Sequence, residues 1–218
     1  MTLRKLSWMF AAVVLAAGIY WWMNRPPVPV NLPPRATGPW VAFGDSLTEG
    51  YGASEGNAYP AVLSRSLGVP IVNLGVSGDT SADGLKRLDA VAQQQPRVVL
   101  LCFGGNDALN KIPLARTLAN LGAIIDRLHS EGSFVVLIGI RSASFSDKNE
   151  KHFARLAREK CVLYLPDLPD LLQGLAFKPV FMSDAIHPND EGYQRFAARL
   201  DNKLRPLLPQ LKGIAPTG

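Results

Sequence analysis

Residues 40–48 read Trp40-Val41-Ala42-Phe43-Gly44-Asp45-Ser46-Leu47-Thr48 (WVAFGDSLT): an unbroken apolar run, then a glycine, an acid and a serine. The run has the aromatic and β-branched make-up of a strand. Its continuous apolarity is that of a strand covered on both faces, as in a parallel sheet. Gly44-Asp45-Ser46 then falls at the strand's carboxyl end, where ligands bind in folds of this kind.

The pattern repeats along the chain. Trp40 to Phe43, Ile71 to Leu74, Val98 to Phe103, Phe134 to Ile140 and Val162 to Leu165 read as strands. Helical patterns separate them, around Ala58 to Ser66, Gly84 to Gln94, Leu114 to His129 and Asp147 to Lys160, with a last one from Asp190 to Leu208. Alternation of this kind predicts an α/β fold, a five-stranded parallel sheet with helices on both faces joined by right-handed crossovers. Gly44-Asp45-Ser46, the Gly78 region and Gly104-Gly105-Asn106 follow strands one, two and three directly, so three motifs share one edge of the sheet.

Near the other end of the chain, Asp184 and His187 stand three residues apart. A serine hydroxyl is a weak nucleophile on its own. It needs an imidazole to take its proton and a carboxylate to fix the imidazole's tautomer. Ser46, His187 and Asp184 supply that set. Pro188 holds His187 out of helical backbone angles, which helps present the ring. His129 and His152 lie in helical, charged surroundings and read as surface residues, leaving His187 as the base candidate. Taken singly, each residue has a plainer reading: Ser46 as a helix N-cap, Gly78 as a turn glycine, Asn106 as a buried amide and Asp107 as a capping residue outside the catalytic set.

Taken together, Gly44 to Leu47 (GDSL), Asn73 to Thr80 (NLGVSGDT), Gly104 to Asp107 (GGND) and Asp184 to His187 (DAIH) resemble the ordered blocks of the SGNH/GDSL hydrolase family. Within it, the chain is most similar to the bacterial multifunctional thioesterase/lysophospholipase/arylesterase group. The resemblance spans Trp40 to the final helix. It implies a flavodoxin-like three-layer α/β/α sandwich in which strand one lies between strands two and three. It also implies that Ser46 is the nucleophile, His187 the general base and then acid, and Asp184 the carboxylate behind the imidazole. The oxyanion donors it implies are the backbone N–H of Ser46, the backbone N–H of Gly78 and the side-chain amide of Asn106. The second glycine of a G-x-S-x-G elbow is missing, which argues against the α/β-hydrolase fold. Asn73 and Gly75 read as shaping the loop before Gly78.

The expected reaction is hydrolysis of a carboxylic ester or thioester through an acyl-enzyme, with no cofactor and no metal. The segment Arg141 to Lys148, with Phe145, and the segment Leu172 to Met182, with Phe181, read as apolar walls for a short to medium acyl chain, and a lysophospholipid is a further candidate substrate. A carbohydrate or peptidoglycan O-acetylesterase, and a non-catalytic lipid- or glycan-binding module, are the alternatives on the same scaffold.

The 218 residues, 47% of them apolar, suffice for one sizeable domain. A net charge of +5 comes from basic residues that are scattered among acids, and no nucleic-acid module is recognisable, so a nucleic-acid partner is not expected. A monomer is expected. Arg4 and Lys5 precede an uncharged stretch, Leu6 to Met23, long enough as a helix to span a bilayer. Its aromatic end, Tyr20-Trp21-Trp22, resembles an interfacial belt, whereas Ala16 and Gly18 offer a cleavage site to the rival reading, a signal peptide. The division expected is a membrane anchor at 1–24, a Pro-rich linker at 25–39 holding the domain away from the bilayer, a hydrolase domain at 40–212 and a tail at 213–218. Charge asymmetry places the domain on the periplasmic side of a bacterial inner membrane as a single-pass protein. Cys102 and Cys161 fall at opposite edges of the sheet, too far apart to bridge, and read as small buried apolar residues.

Overall fold

In the computed structural model, which describes residues 14–15, 18, 28–139, 148–166 and 179–213, five strands pair in parallel. They are β1 (Trp40–Gly44), β2 (Ile71–Gly75), β3 (Val98–Cys102), β4 (Phe134–Ile138) and β5 (Leu163–Leu165). Their order is β2-β1-β3-β4-β5. The chain steps from β1 outward to β2 and then returns to the other side of β1 with β3, so the order reverses at β1. In register, Gly44 lies opposite Gly75 on one side and Cys102 on the other. The residues that come after these three strands therefore emerge side by side.

Helices cover both faces: α1 (Ser46–Glu49), α2 (Tyr59–Leu67), α3 (Ser81–Ala92), α4 (Gly105–Leu109), α5 (Leu114–Ser130), α6 (Lys148–Glu159), α7 (Asp190–Leu204) and α8 (Leu208–Leu211). Successive side chains of a strand point to opposite faces, and the core divides accordingly. Trp40, Ala42, Leu100, Cys102, Val136 and Ile138 pack under Tyr59, Leu63, Tyr193, Phe196 and Leu200 of α2 and α7. Val41, Phe43, Val99, Leu101, Val135 and Leu137 pack under α3, α5 and α6 through Leu88, Leu121, Ile124, Ile125 and Phe153. Each such fully buried aliphatic or aromatic side chain is worth about 1.5–3 kcal/mol of transfer free energy. The central strands are thus fixed in register from both sides, and the loops beyond them inherit a rigid base.

Four expectations need correction here. β2 is an edge strand and is only half covered, with Val72 and Asn73 exposed; its apolar composition suggested cover on both faces. Residues 28–39, expected as a spacer, are fastened to the domain. The Val30 N–H donates to the Cys161 carbonyl at 2.8 Å, and the Asn31 amide donates to the His129 and Ser133 carbonyls. The N–H groups of Arg35 and Ala36 donate to Gly132, and that of Gly38 to Gln95. Loop carbonyls at the amino ends of the strands need donors, and this segment supplies them. His129 is consequently half-buried rather than a surface residue. The cysteines are not bridged; Cys102 is buried, but Cys161 is partly exposed at a turn with φ of 49°.

Among the described residues no helix is long and apolar enough to cross a membrane. The stretch Leu6 to Met23 lies outside the described residues except at positions 14, 15 and 18, and so do Phe145 and the tail beyond residue 213.

Candidate active site

The geometry of the Ser46 turn arises from Gly44 and Asp45. A Cβ on Gly44 would run into the Thr48 hydroxyl and the Cys102 carbonyl, so only glycine lets β1 turn this tightly against β3. Asp45 is the N-cap of α1: its side chain accepts from the Leu47 N–H at 3.1 Å. That leaves Ser46 as the first helical residue. Its N–H is among the first-turn donors that a helix cannot use itself. Gly50, at φ of 99°, ends the helix after a single turn. The Asp45 carboxyl is buried, and its pKa is pushed up to about 7, chiefly by loss of hydration, with the nearby Asp107 and Asp79 adding to the rise against the Leu47 hydrogen bond. A buried acid beside the nucleophile thus carries much less negative charge at neutral pH than an exposed aspartate.

Asp184 and His187 sit on a short loop between a 3-10 turn, Pro179–Phe181, and α7. Met182 and Pro188 pair across the loop's base, and the Ser183 N–H donates to the His187 carbonyl at 2.9 Å. One carboxylate oxygen of Asp184, Oδ1, accepts from the N–H groups of Ile186 and His187, each at 2.7 Å. The other, Oδ2, is 2.7 Å from His187 Nδ1. Burial alone would raise the Asp184 pKa, but these hydrogen bonds outweigh it and hold the carboxyl below its usual value. His187 Nε2 is 3.0 Å from Ser46 Oγ. With the ring proton on Nδ1, directed at Asp184, Nε2 is the acceptor for the Ser46 hydroxyl. Residues 141 positions apart therefore form one hydrogen-bonded series.

The other two expected donors follow the carboxyl ends of β2 and β3, the strands that flank β1. Gly78 has φ of 86°, a left-handed conformation that favours glycine, and no atom lies within 4 Å of where a Cβ would stand. The Asn106 amide donates to the Asp79 carbonyl at 2.9 Å, next door to Gly78. An amide has two N–H bonds, so a second donor is available to a ligand. Asp107 is buried and accepts from the Ser81 N–H at 2.7 Å and the Thr117 hydroxyl at 3.0 Å. It joins α3, α4 and α5. Asn73 likewise holds the backbone in place: its amide donates to the Thr48 carbonyl at 2.8 Å, and its oxygen accepts from the Gly75 N–H at 2.9 Å. Among the described residues no group of three or more His, Cys, Asp or Glu side chains could hold a metal ion.

Phe181 was expected in an apolar wall for the acyl chain. It is buried, and the Arg195 guanidinium lies 4.0 Å from its ring centroid. Its carbonyl accepts from the Asn189 N–H, so it supports the His187 loop from below. Composition marked the segment as apolar but could not say which way it faced. Conversely, Tyr51 escaped notice: its ring centroid lies 4.5 Å from that of His187, and it is half-exposed at the mouth of the site. The Tyr193 hydroxyl donates to the Tyr51 carbonyl at 2.9 Å and fixes its backbone. An aromatic residue just after a nucleophile helix is the signal that would have found it.

A Ser–His–Asp series at the carboxyl edge of a parallel sheet, without a nucleophile elbow, narrows the relatives to look for. Thioesterase 1/protease 1/lysophospholipase L1 of Escherichia coli (strain K12) is 35% identical over 177 residues, covering 77% of this chain and 84% of that one. Esterase TesA of Pseudomonas aeruginosa is 31% identical over 181 residues, covering 77% and 88%. The solved structure of a G-D-S-L family protein from Desulfitobacterium hafniense DCB-2 superposes with a TM-score of 0.68 at 26% identity, over 76% of this chain and 99% of that one. The GDSL-like Lipase/Acylhydrolase family model matches residues 42–195, a span that begins inside β1 and runs past His187 into α7. Fold, site and sequence therefore agree that the chain belongs to the GDSL-like lipase/acylhydrolase family.

Proposed function

We propose that this protein hydrolyses carboxylic esters or thioesters of short to medium acyl chains through an acyl-Ser46 intermediate. The observation that carries this reading is the unbroken series Asp184–His187–Ser46, with contacts of 2.7 and 3.0 Å. In the first half-reaction Ser46 Oγ bonds to the acyl carbon while its proton passes to His187 Nε2. The imidazolium, held by Asp184, then gives that proton to the departing alkoxide or thiolate. Water repeats the sequence in the second half, and the acid leaves. Negative charge on the acyl oxygen is met in both halves by the N–H of Ser46, the N–H of Gly78 and the amide of Asn106.

The substrate class draws support from relatives named thioesterase, lysophospholipase and arylesterase. It is tested on a series of nitrophenyl esters of rising chain length. The rate constant kcat/KM is expected to climb from acetyl towards butyrate and longer chains; a sharp preference for acetyl would instead identify a sugar or peptidoglycan deacetylase.

The site works, in this reading, outside the cytoplasm. The support is the uncharged stretch from Leu6 to Met23 behind Arg4 and Lys5, a pattern that retains a cytoplasmic amino terminus and exports the residues beyond the stretch. An alkaline phosphatase fused after Arg25 is expected to be active; a silent but stable fusion would mean that the domain stays inside.

A further inference from the structure

Asp79 is the residue on which two of the three oxyanion donors depend. It comes directly after Gly78, and its carbonyl accepts the Asn106 amide at 2.9 Å. Its carboxylate is gripped by Arg87 of α3, whose Nε and a terminal nitrogen approach Oδ2 at 2.8 and 2.6 Å. The same guanidinium reaches the Leu74 carbonyl of β2 at 3.3 Å and the Gly44 carbonyl of β1 at 3.4 Å. It lies over the Phe43 ring, 5.0 Å from the centroid. One planar group thus touches the end of the strand before Ser46, the end of the strand before Gly78, and the residue that holds Asn106. On the other flank of Gly78, Glu49 of α1 accepts from the Ser77 N–H at 3.1 Å and from the Ser77 hydroxyl.

We propose that Arg87 is a positioning residue for the reaction: through Asp79 it sets the direction of the Gly78 N–H and of the Asn106 amide relative to Ser46. The inference rests on the proposed oxyanion assignment and adds to it the group that aligns its members. Among the described residues nothing beyond its chain neighbours lies within 4 Å of where a Cβ on Gly78 would be, so its peptide is steered by its bracketed neighbours. Arginine suits the task because several acceptors spread around it at different angles. A fork of fixed N–H groups meets them together, whereas a lysine ammonium is a point charge on a flexible stem. The pair is partly sheltered, with side-chain exposures of 32% for Arg87 and 16% for Asp79, so water competes for it less than for a surface pair.

The test compares Arg87→Lys, Arg87→Gln, Asn106→Ala and the double variant Arg87→Gln/Asn106→Ala on nitrophenyl butyrate. It also tracks inactivation by a nitrophenyl alkylphosphonate, whose phosphoryl oxygen mimics the oxyanion. A misaligned donor costs up to what a missing one does, about a hundredfold. We expect Arg87→Lys to lower kcat about tenfold and Arg87→Gln about a hundredfold, with KM within about twofold and Tm nearly unchanged. The phosphonate rate should fall in step. Because Arg87 acts partly through Asn106, the double variant should lose clearly less than the product of the single losses. Arg87 variants with wild-type kcat, a loss seen only in KM or matched by unfolding, or fully multiplicative losses would overturn the proposal while Asn106→Ala remained impaired. A fully active Asn106→Ala would sink the oxyanion assignment itself. Should Arg87→Gln fail to fold, Arg87→Lys decides, since it keeps the charge and removes the fork.

Discussion

Ser46→Ala is expected to lower kcat on nitrophenyl esters by about 10⁵- to 10⁶-fold, since the nucleophile of a working triad cannot be replaced by its partners. The same change should leave Tm nearly where it was. Among the described residues the Ser46 hydroxyl makes one side-chain hydrogen bond, to His187 at 3.0 Å, on a partly exposed rim. The cap of α1 comes from Asp45 and its packing from Leu47, and alanine is the best of helix formers in the position it would occupy. Steady-state rates and a thermal melt on the same preparation check both halves of the statement. A variant that keeps its rate would remove the enzyme claim, and one that unfolds would mean that the hydroxyl carries structure as well as chemistry.

Asp184→Asn should cost about 10⁴-fold in kcat, and the hydrogen bonds in the loop say why. Two backbone N–H groups, from Ile186 and His187, point at Oδ1. They require an acceptor there, so the amide of an asparagine must place its oxygen at Oδ1 and its NH2 group at the position of Oδ2. That NH2 faces His187 Nδ1 and can only donate to it. The imidazole proton is then forced onto Nε2, where it confronts the Ser46 hydroxyl and removes its acceptor. Size and loop backbone are preserved, so Tm should fall little. A loss of less than tenfold would show that Asp184 does not set the tautomer.

The sheet was legible in the sequence because buried parallel strands have nowhere to place a polar side chain: Val98–Cys102 and Phe134–Ile138 are apolar at every position. The candidate site residues were legible for a related reason. Ser46, Gly78 and Asn106 each come soon after a strand, and Asp184 and His187 are neighbours, so little depends on long-range placement. What composition could not give was direction and partnership. Phe181 was visible as apolar but not as inward-facing, because one aromatic in a short segment carries no periodicity. Residues 28–39 were visible as stiff, yet their acceptors, the carbonyls of Gly132 and Cys161, lie far along the chain. Arg87 carries no local signal, since nothing beside it in the sequence links it to Asp79 across the helix start. Tyr51 and Glu49 were hidden likewise, their roles depending on loops that meet only after folding.

The fastening of residues 28–38 has an orientational consequence. Their acceptors, Gln95, Gly132, Ser133 and Cys161, precede β3, β4 and β5, whereas Ser46, Gly78 and Asn106 come after the opposite tips of β1, β2 and β3. The polypeptide thus enters at one pole and the catalytic mouth opens at the other. A ligand reaching the mouth therefore meets the domain on the face turned away from residues 28–38, which leave the opening unobstructed.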